Sequence, residues 1–185
     1  MTNIKALGLC GSLRADSFNL KLLKNFLAEL DAKGATTRLY GALDLPLVNQ
    51  DLENAPLDRR ILDLQAAIRD ANVVVLGSPE YNASFSPVLK NAIDWATRPQ
   101  GTNCWQDKIV VLLAASPGAL GGARGLIQVR TVLSGLRAWV IPEQGQWGAA
   151  HQAFAASGKL TVEPVRKQIA GAVQGLETFA KRWLV

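Results

Sequence analysis

The 185 residues are 49% hydrophobic and 19% charged, a balance that excludes disordered and fibrous classes and suits a chain that buries roughly 70% of its unfolded surface. The net charge of +5 comes from scattered lysines and arginines, paired only at 59–60, 166–167 and 181–182, so no basic stripe for nucleic acid is present. No apolar stretch reaches the roughly 20 residues of a membrane span, and the expectation is one cytoplasmic domain over residues 1–185 with no membrane or nucleic-acid partner.

In chain order, "IKALGLC" (4–10) reads as a first strand, and residues 20–30 follow as a helix with Leu20, Leu23, Leu27 and Leu30 on one face. "TTRLY" (36–40) is a second strand, and a helix spans about 57–70. "NVVVLGS" (72–78) and "KIVVLLAAS" (108–116) are continuous rather than alternating apolar runs, the mark of strands buried on both faces of a parallel sheet. Helices at about 87–96, 123–136 and 164–183 and a short strand "AWVIP" (138–142) complete the pattern. Strands alternating with helices predict a doubly wound α/β domain with five parallel strands and helices on both faces. The stretch 142–163 is the least regular and reads as a surface excursion, a candidate partner or lid segment. Cys10 and Cys104 match no CxxC or zinc spacing and read as two reduced thiols, in keeping with a reducing compartment.

Ligands of an open parallel sheet bind outside the carboxyl ends of its strands, and three loops leaving such ends are chemically unusual. "GSLRADSFN" (11–19) offers hydroxyls from Ser12 and Ser17, the Asn19 amide, the Arg14 guanidinium and the free N–H groups of a helix N-terminus. Those are the parts of a phosphate site; the plainer reading is a turn in which Ser17 or Asn19 only caps the helix. The loop lacks GxxxxGK[ST], which argues against a nucleoside triphosphate, and GxGxxG is absent from the chain. The second loop, "PEYN" (79–82), precedes a helix with Ser86 as N-cap and Pro87 at its first position, and it offers a rigid backbone and one aromatic ring to a flat ligand. Lys90, Asn91 and Asp94 on that helix read as surface or interface groups. The third loop, "SPGALGGARG" (116–125), is glycine-rich and allows close backbone approach to a ligand.

Together, "GSLRADSFN", "PEYNASFSPVLKNAIDW" and "SPGALGGAR" resemble the NADPH-dependent FMN reductase family, the flavodoxin-like group that includes bacterial quinone, chromate and azo-dye reductases. The resemblance implies a flavodoxin-like fold, FMN as cofactor, NADPH or NADH as electron donor, and small-molecule electron acceptors such as quinones, chromate, ferric chelates or azo compounds. It implies that Ser12, Arg14, Ser17 and Asn19 hold the FMN phosphate, that Pro79, Glu80, Tyr81 and Asn82 line the isoalloxazine ring, and that Ser116 and Gly118 close its other side. It implies a homodimer or homotetramer with the flavin near a subunit boundary, for which Trp95, Arg98 and Trp105 are the candidate contacts. Ala83 stands where the family often carries a larger side chain, implying more room over the ring.

On this reading the cofactor carries the chemistry, by a ping-pong route in which the nicotinamide leaves before the acceptor enters. No catalytic side chain and no metal are then required, and the lone His151 reads as a surface or interface group. The competing readings are a flavodoxin-like FMN electron carrier without its own NAD(P)H oxidation and a phosphate-binding module without redox function.

Overall fold

A computed structural model describes residues 1–54 and 56–184. The strands, in chain order, are β1 (Lys5–Cys10), β2 (Thr36–Leu39), β3 (Val73–Gly77), β4 (Glu80–Tyr81), β5 (Ser84–Phe85), β6 (Ile109–Ala115) and β7 (Trp139–Trp147). The helices are α1 (Phe18–Ala32), α2 (Arg59–Asp70), α3 (Pro87–Trp95), α4 (Ala123–Gly135) and α5 (Glu163–Trp183). Five strands form one sheet in the order β2-β1-β3-β6-β7, every neighbouring pair parallel, while β4 and β5 make a separate antiparallel hairpin. Counted along the sheet strands alone this is the order 2-1-3-4-5 of the flavodoxin-like fold, with its switch point at the β1/β3 boundary.

The continuous apolar runs are explained by burial on both faces. Val73, Val75, Val111 and Leu113 point toward α1 and α5, where they meet Leu23, Phe26, Leu30, Ile169 and Val173. Val74, Leu76, Val110 and Leu112 point the other way, toward Leu64, Ile68, Leu89, Ile93, Val129 and Leu133 of α2, α3 and α4. Truncating one of the leucines, isoleucines or Phe26 among these to Ala costs about 2–5 kcal/mol. Within α1 the buried face is Leu22, Leu23, Phe26, Leu27 and Leu30, so the helix is rotated from the expected stripe and Leu20 is only half-buried.

Three expectations are corrected. The last sheet strand runs on to Trp147, so 142–147 is not surface excursion. Its pairing with β6 is irregular: Val110 faces Val140 but Leu112 faces Gln144, leaving Ile141–Glu143 opposite Val111 alone. Pro142 is tolerated there because β7 is an edge strand, where a missing N–H costs no ladder bond. Second, Trp95 and Trp105 are fully buried and donate their indole N–H groups to the Pro46 and Ile93 carbonyls at 2.7 and 3.1 Å; they are core, not subunit contacts. Arg98 is half-buried and faces Glu53 at 3.6 Å. Third, Asn91 fastens the β2–α2 connection to α3, accepting from the Val48 N–H and donating to the Pro46 carbonyl at 2.9 Å each. Lys90 and Asp94 form an exposed pair one turn apart.

Candidate functional site

Three loops converge beyond the carboxyl ends of β1, β3 and β6. Gly11 ends β1 with its N–H on the Gly77 carbonyl at 2.8 Å, and a Cβ there would fall 2.6 Å from Ser86 Oγ. Glycine therefore lets the first loop leave tight against the α3 N-terminus. Ser17 is buried and is the N-cap of α1, its Oγ accepting from the Leu20 N–H at 3.2 Å. Arg14 is exposed on the loop and the Ser12 hydroxyl lies two residues behind it, accepting weakly from the Arg14 N–H at 3.4 Å. Among the described residues, the main-chain N–H groups from Ala15 to Asn19 have no protein acceptor. A nest of unfilled donors, a guanidinium and two hydroxyls at a helix start match the needs of a phosphate.

Asn19 has a different principal task. It is buried, its Oδ1 accepts from the Ala115 N–H and its Nδ2 donates to the Ala115 carbonyl, both at 2.9 Å. The side chain clamps α1 to the end of β6, and among the described residues its second amide hydrogen has no protein acceptor. Cys10 lies under the same loop; burial pushes its thiol above the ordinary range, only partly offset by hydrogen bonds to Ser12 and Ser17.

The second loop is the β4–β5 hairpin, not a bare turn. Asn82 and Ala83 form its tip with φ of 50° and 64°, both left-handed, as a two-residue type I′ hairpin turn requires. Pro79 is buried, held by Ser78 Oγ donating to its carbonyl at 3.0 Å, whereas Tyr81 is 49% exposed. Ser86 caps α3 as expected, accepting from Leu89 N–H at 3.1 Å.

The Glu80 side chain, at the wall of the cleft, caps α4. Its Oε2 accepts from the N–H groups of Arg124 and Gly125 at 3.0 and 3.2 Å, and its Oε1 from Arg124 Nε at 2.8 Å and from Arg124 Nη2. Burial works to raise this carboxyl, but the Arg124 and Gly125 bonds outweigh it and hold it below its ordinary value. Farther along the hairpin, Ser84 Oγ donates to Gln128 Oε1 and Gln128 Nε2 to the Ala83 carbonyl, both at 2.7 Å. The ledge is thus fastened to α4 at two points one turn apart.

The third loop is fixed from the β7 side. Ser116 donates its N–H to the Trp147 carbonyl and accepts from the Ala150 N–H, both at 3.0 Å, while its Oγ bonds the Gly118 carbonyl at 3.2 Å. Gly122 is the N-cap of α4 with φ of 88°, and a Cβ there would meet Ala114 Cβ at 2.6 Å.

Ser12, Arg14, Ser17, Asn19, Pro79, Glu80, Tyr81 and Ser116 therefore line one cleft of about 80 Å³, joined by Phe18, Ala115 and Pro117. Asn82, at the exposed hairpin tip, and Gly118, farther along its loop, lie outside that lining. The cleft has room for a phosphate-sized group, well short of the roughly 300 Å³ of a small-ligand pocket. A larger flat ligand has to lie on the open ledge of Pro79, Tyr81 and Ser116. The residues fit FMN in that form: a closed end for the phosphate and an open shelf for the ring. Sequence reasoning missed Arg124, which lies 44 positions from its partner Glu80, a spacing that carries no local signal. His151 is exposed beside Gln152, 3.1 Å away, and among the described residues no group of three metal-ligating side chains is present.

Comparisons with known proteins point to one family. The sequence model of the NADPH-dependent FMN reductase family matches residues 4–152. An NAD(P)H-dependent FMN reductase of Pseudomonas aeruginosa is 33% identical over 97% of both chains. A quinone reductase of Pseudomonas putida is 36% identical over 81% of both. Among solved structures, a flavoenzyme NAD(P)H:(acceptor) oxidoreductase of Paracoccus denitrificans superposes with a TM-score of 0.84 at 33% identity, covering 97% of this chain and 98% of its own.

Proposed function

The chain belongs to the NADPH-dependent FMN reductase family, and from that premise we propose that it is a cytoplasmic enzyme reducing quinones, with chromate, ferric chelates and azo compounds as further acceptors. The observation that carries the reading is the adjacency, at one sheet edge, of an unfilled donor nest and an open aromatic ledge. When bound, FMN would supply the redox chemistry that links NAD(P)H to an acceptor, and the proposed order is ping-pong.

The protein's own part is binding and placement. Arg14, the Ser12 and Ser17 hydroxyls and the N–H groups of 15–19 hold the phosphate, with the spare amide hydrogen of Asn19 beside them. Pro79 and Tyr81 support the ring with Asn82 at its rim, and Ser116 and Gly118 bound its other side. Glu80 acts at one remove, by holding the hairpin against α4. Because the shelf is open on one side, donor and acceptor take turns on the same surface, selected by shape.

We propose further that the enzyme is a homodimer or homotetramer. The small cleft and the half-exposed Tyr81 leave the shelf short of cover. Beside it an open groove of Ser84, Phe85, Pro87, Lys90, Gln128 and Thr131 runs between α3 and α4, next to the exposed Ile127, and suits a second copy.

The test is to mix the protein with FMN, NADPH and a benzoquinone without air and follow the nicotinamide absorbance. Decay faster than the free-flavin blank is expected, and decay at the blank rate would sink the reductase reading. Arg14→Ala is expected to weaken FMN binding roughly ten- to hundredfold while leaving turnover at saturating FMN near the parent value. Equal FMN affinity in both proteins removes Arg14 from the site.

A further inference from the structure

A second depression adjoins the cleft, sharing Ser17 as a wall. It runs along the outer face of α1, from Ala15 and Ser17 to Glu29, and is closed on the far side by residues 156–160 and the first turns of α5. Its volume is about 580 Å³, within the range of small-ligand pockets. The far wall is fixed rather than loose: Asn25 Nδ2 donates to the Gly158 carbonyl at 2.8 Å and Asn25 Oδ1 accepts from the Leu160 N–H at 3.2 Å.

Four cations line this groove, Lys21, Lys24, Lys159 and Arg166, against one carboxylate, Glu29. Lys21 is paired with Asp16, and Arg166 is bound to the Leu160 carbonyl through Nε and Nη2 at 3.0 and 2.6 Å. Among the described residues, Lys24 and Lys159 have no carboxylate partner. Two uncompensated ammonium groups facing one groove favour an anion with more than one charge. The phosphate cleft next door already has its own donors, so these cations are not needed there.

We infer that the groove receives the phosphate-bearing adenosine half of the nicotinamide donor, with Lys24 and Lys159 selecting the 2′-phosphate and hence NADPH over NADH. The inference rests on the reductase reading, since it needs a donor lying across the shelf and reaching past Ser17. A 2′-phosphate adds about −1.5 to −2 charge at neutral pH, and that extra charge is what separates the two donors.

The experiment titrates adenosine 2′,5′-bisphosphate, adenosine 5′-monophosphate and inorganic pyrophosphate into the FMN-loaded parent and a Lys24→Ala/Lys159→Ala variant, by calorimetry. Both lysines are exposed, so the variant is expected to fold, which its circular dichroism checks. The parent should bind the bisphosphate about tenfold tighter than the monophosphate, and the variant should lose that difference with FMN affinity unchanged. Correspondingly, KM for NADPH should rise about tenfold while KM for NADH stays put. A control, Arg38→Ala/Arg182→Ala, removes the same charge outside the groove and should change neither.

Equal bisphosphate affinity in parent and variant overturns the inference. So does an effect matched by the control, which would assign the preference to overall charge, or pyrophosphate binding as tight as the bisphosphate, which would leave an unselective anion patch. If the parent oxidises neither donor, the reductase reading fails on its own, and that failure is visible in the parent before any variant is compared.

Discussion

Ala83 holds a φ of 64° at the tip of the β4–β5 hairpin, next to Asn82 at 50°. Asn tolerates this region, but the Cβ of Ala is crowded there, and a type I′ turn favours glycine at the second place. Ala83→Gly is therefore expected to stabilise the protein by about 0.5–1 kcal/mol, raising the melting temperature by roughly 1–4 °C. A fall in melting temperature would show that the strain is absent. The small side chain is thus set by backbone geometry at the tip as well as by any room it leaves over a ring. The cysteines make a second residue-scale case. Cys10 belongs to the core on the α1 and α5 side of the sheet and Cys104 to the core on the other side, and burial raises both thiols. Neither should react with a thiol reagent at neutral pH until the protein unfolds, when both should; rapid labelling of the native protein would contradict the burial.

At the scale of elements, the hairpin depends on α4 through Glu80, whose side chain is only 8% exposed. Glu80→Gln keeps the size but replaces one acceptor oxygen with a donor, which then opposes either the Arg124 guanidinium or the main-chain N–H groups of Arg124 and Gly125. A loss of about 1–2 kcal/mol in chemical denaturation is expected, the value being discounted for the 56% exposure of Arg124, together with weaker FMN retention. Unchanged stability would mean the contact contributes nothing. The pH dependence has a fixed sign. A carboxyl held below its ordinary value contributes fully above the unfolded value of about 4.3 and loses that contribution as pH falls through the lower folded value. FMN retention should therefore drop in acid in the parent, with a smaller acid-dependent component in Glu80→Gln. These links also mark where sequence reading stops. The inner strands were legible because burial on both faces writes unbroken apolar runs, and Ser17, Ser86 and Pro87 were legible because caps are local. The end of β7 was not, since an irregular edge strand carries the polar run "PEQGQ". Nor was the clamp between Asn19 and Ala115, which joins residues 96 positions apart.

Over the whole molecule, the sheet keeps its two cores separate and gathers its loops at one edge, so the chemistry depends on how that edge is covered. If a second copy seats against α3 and α4, Ile127→Lys, at a residue 66% exposed on α4, should shift sedimentation toward the monomer and weaken FMN binding in step. A dimer that survives the substitution with FMN affinity unchanged would place the interface elsewhere. The described helices include none long and apolar enough to cross a membrane.

Asn19 has a consequence beyond the bonds it makes. Neither the sheet ladder nor the helix ladder joins the start of α1 to the end of β6; the two 2.9 Å bonds to Ala115 do. The residue works as a caliper for the cleft mouth, and the jaw width is written into the length of one side chain. One methylene more, as in glutamine, would reset the gauge between the phosphate end and the third loop.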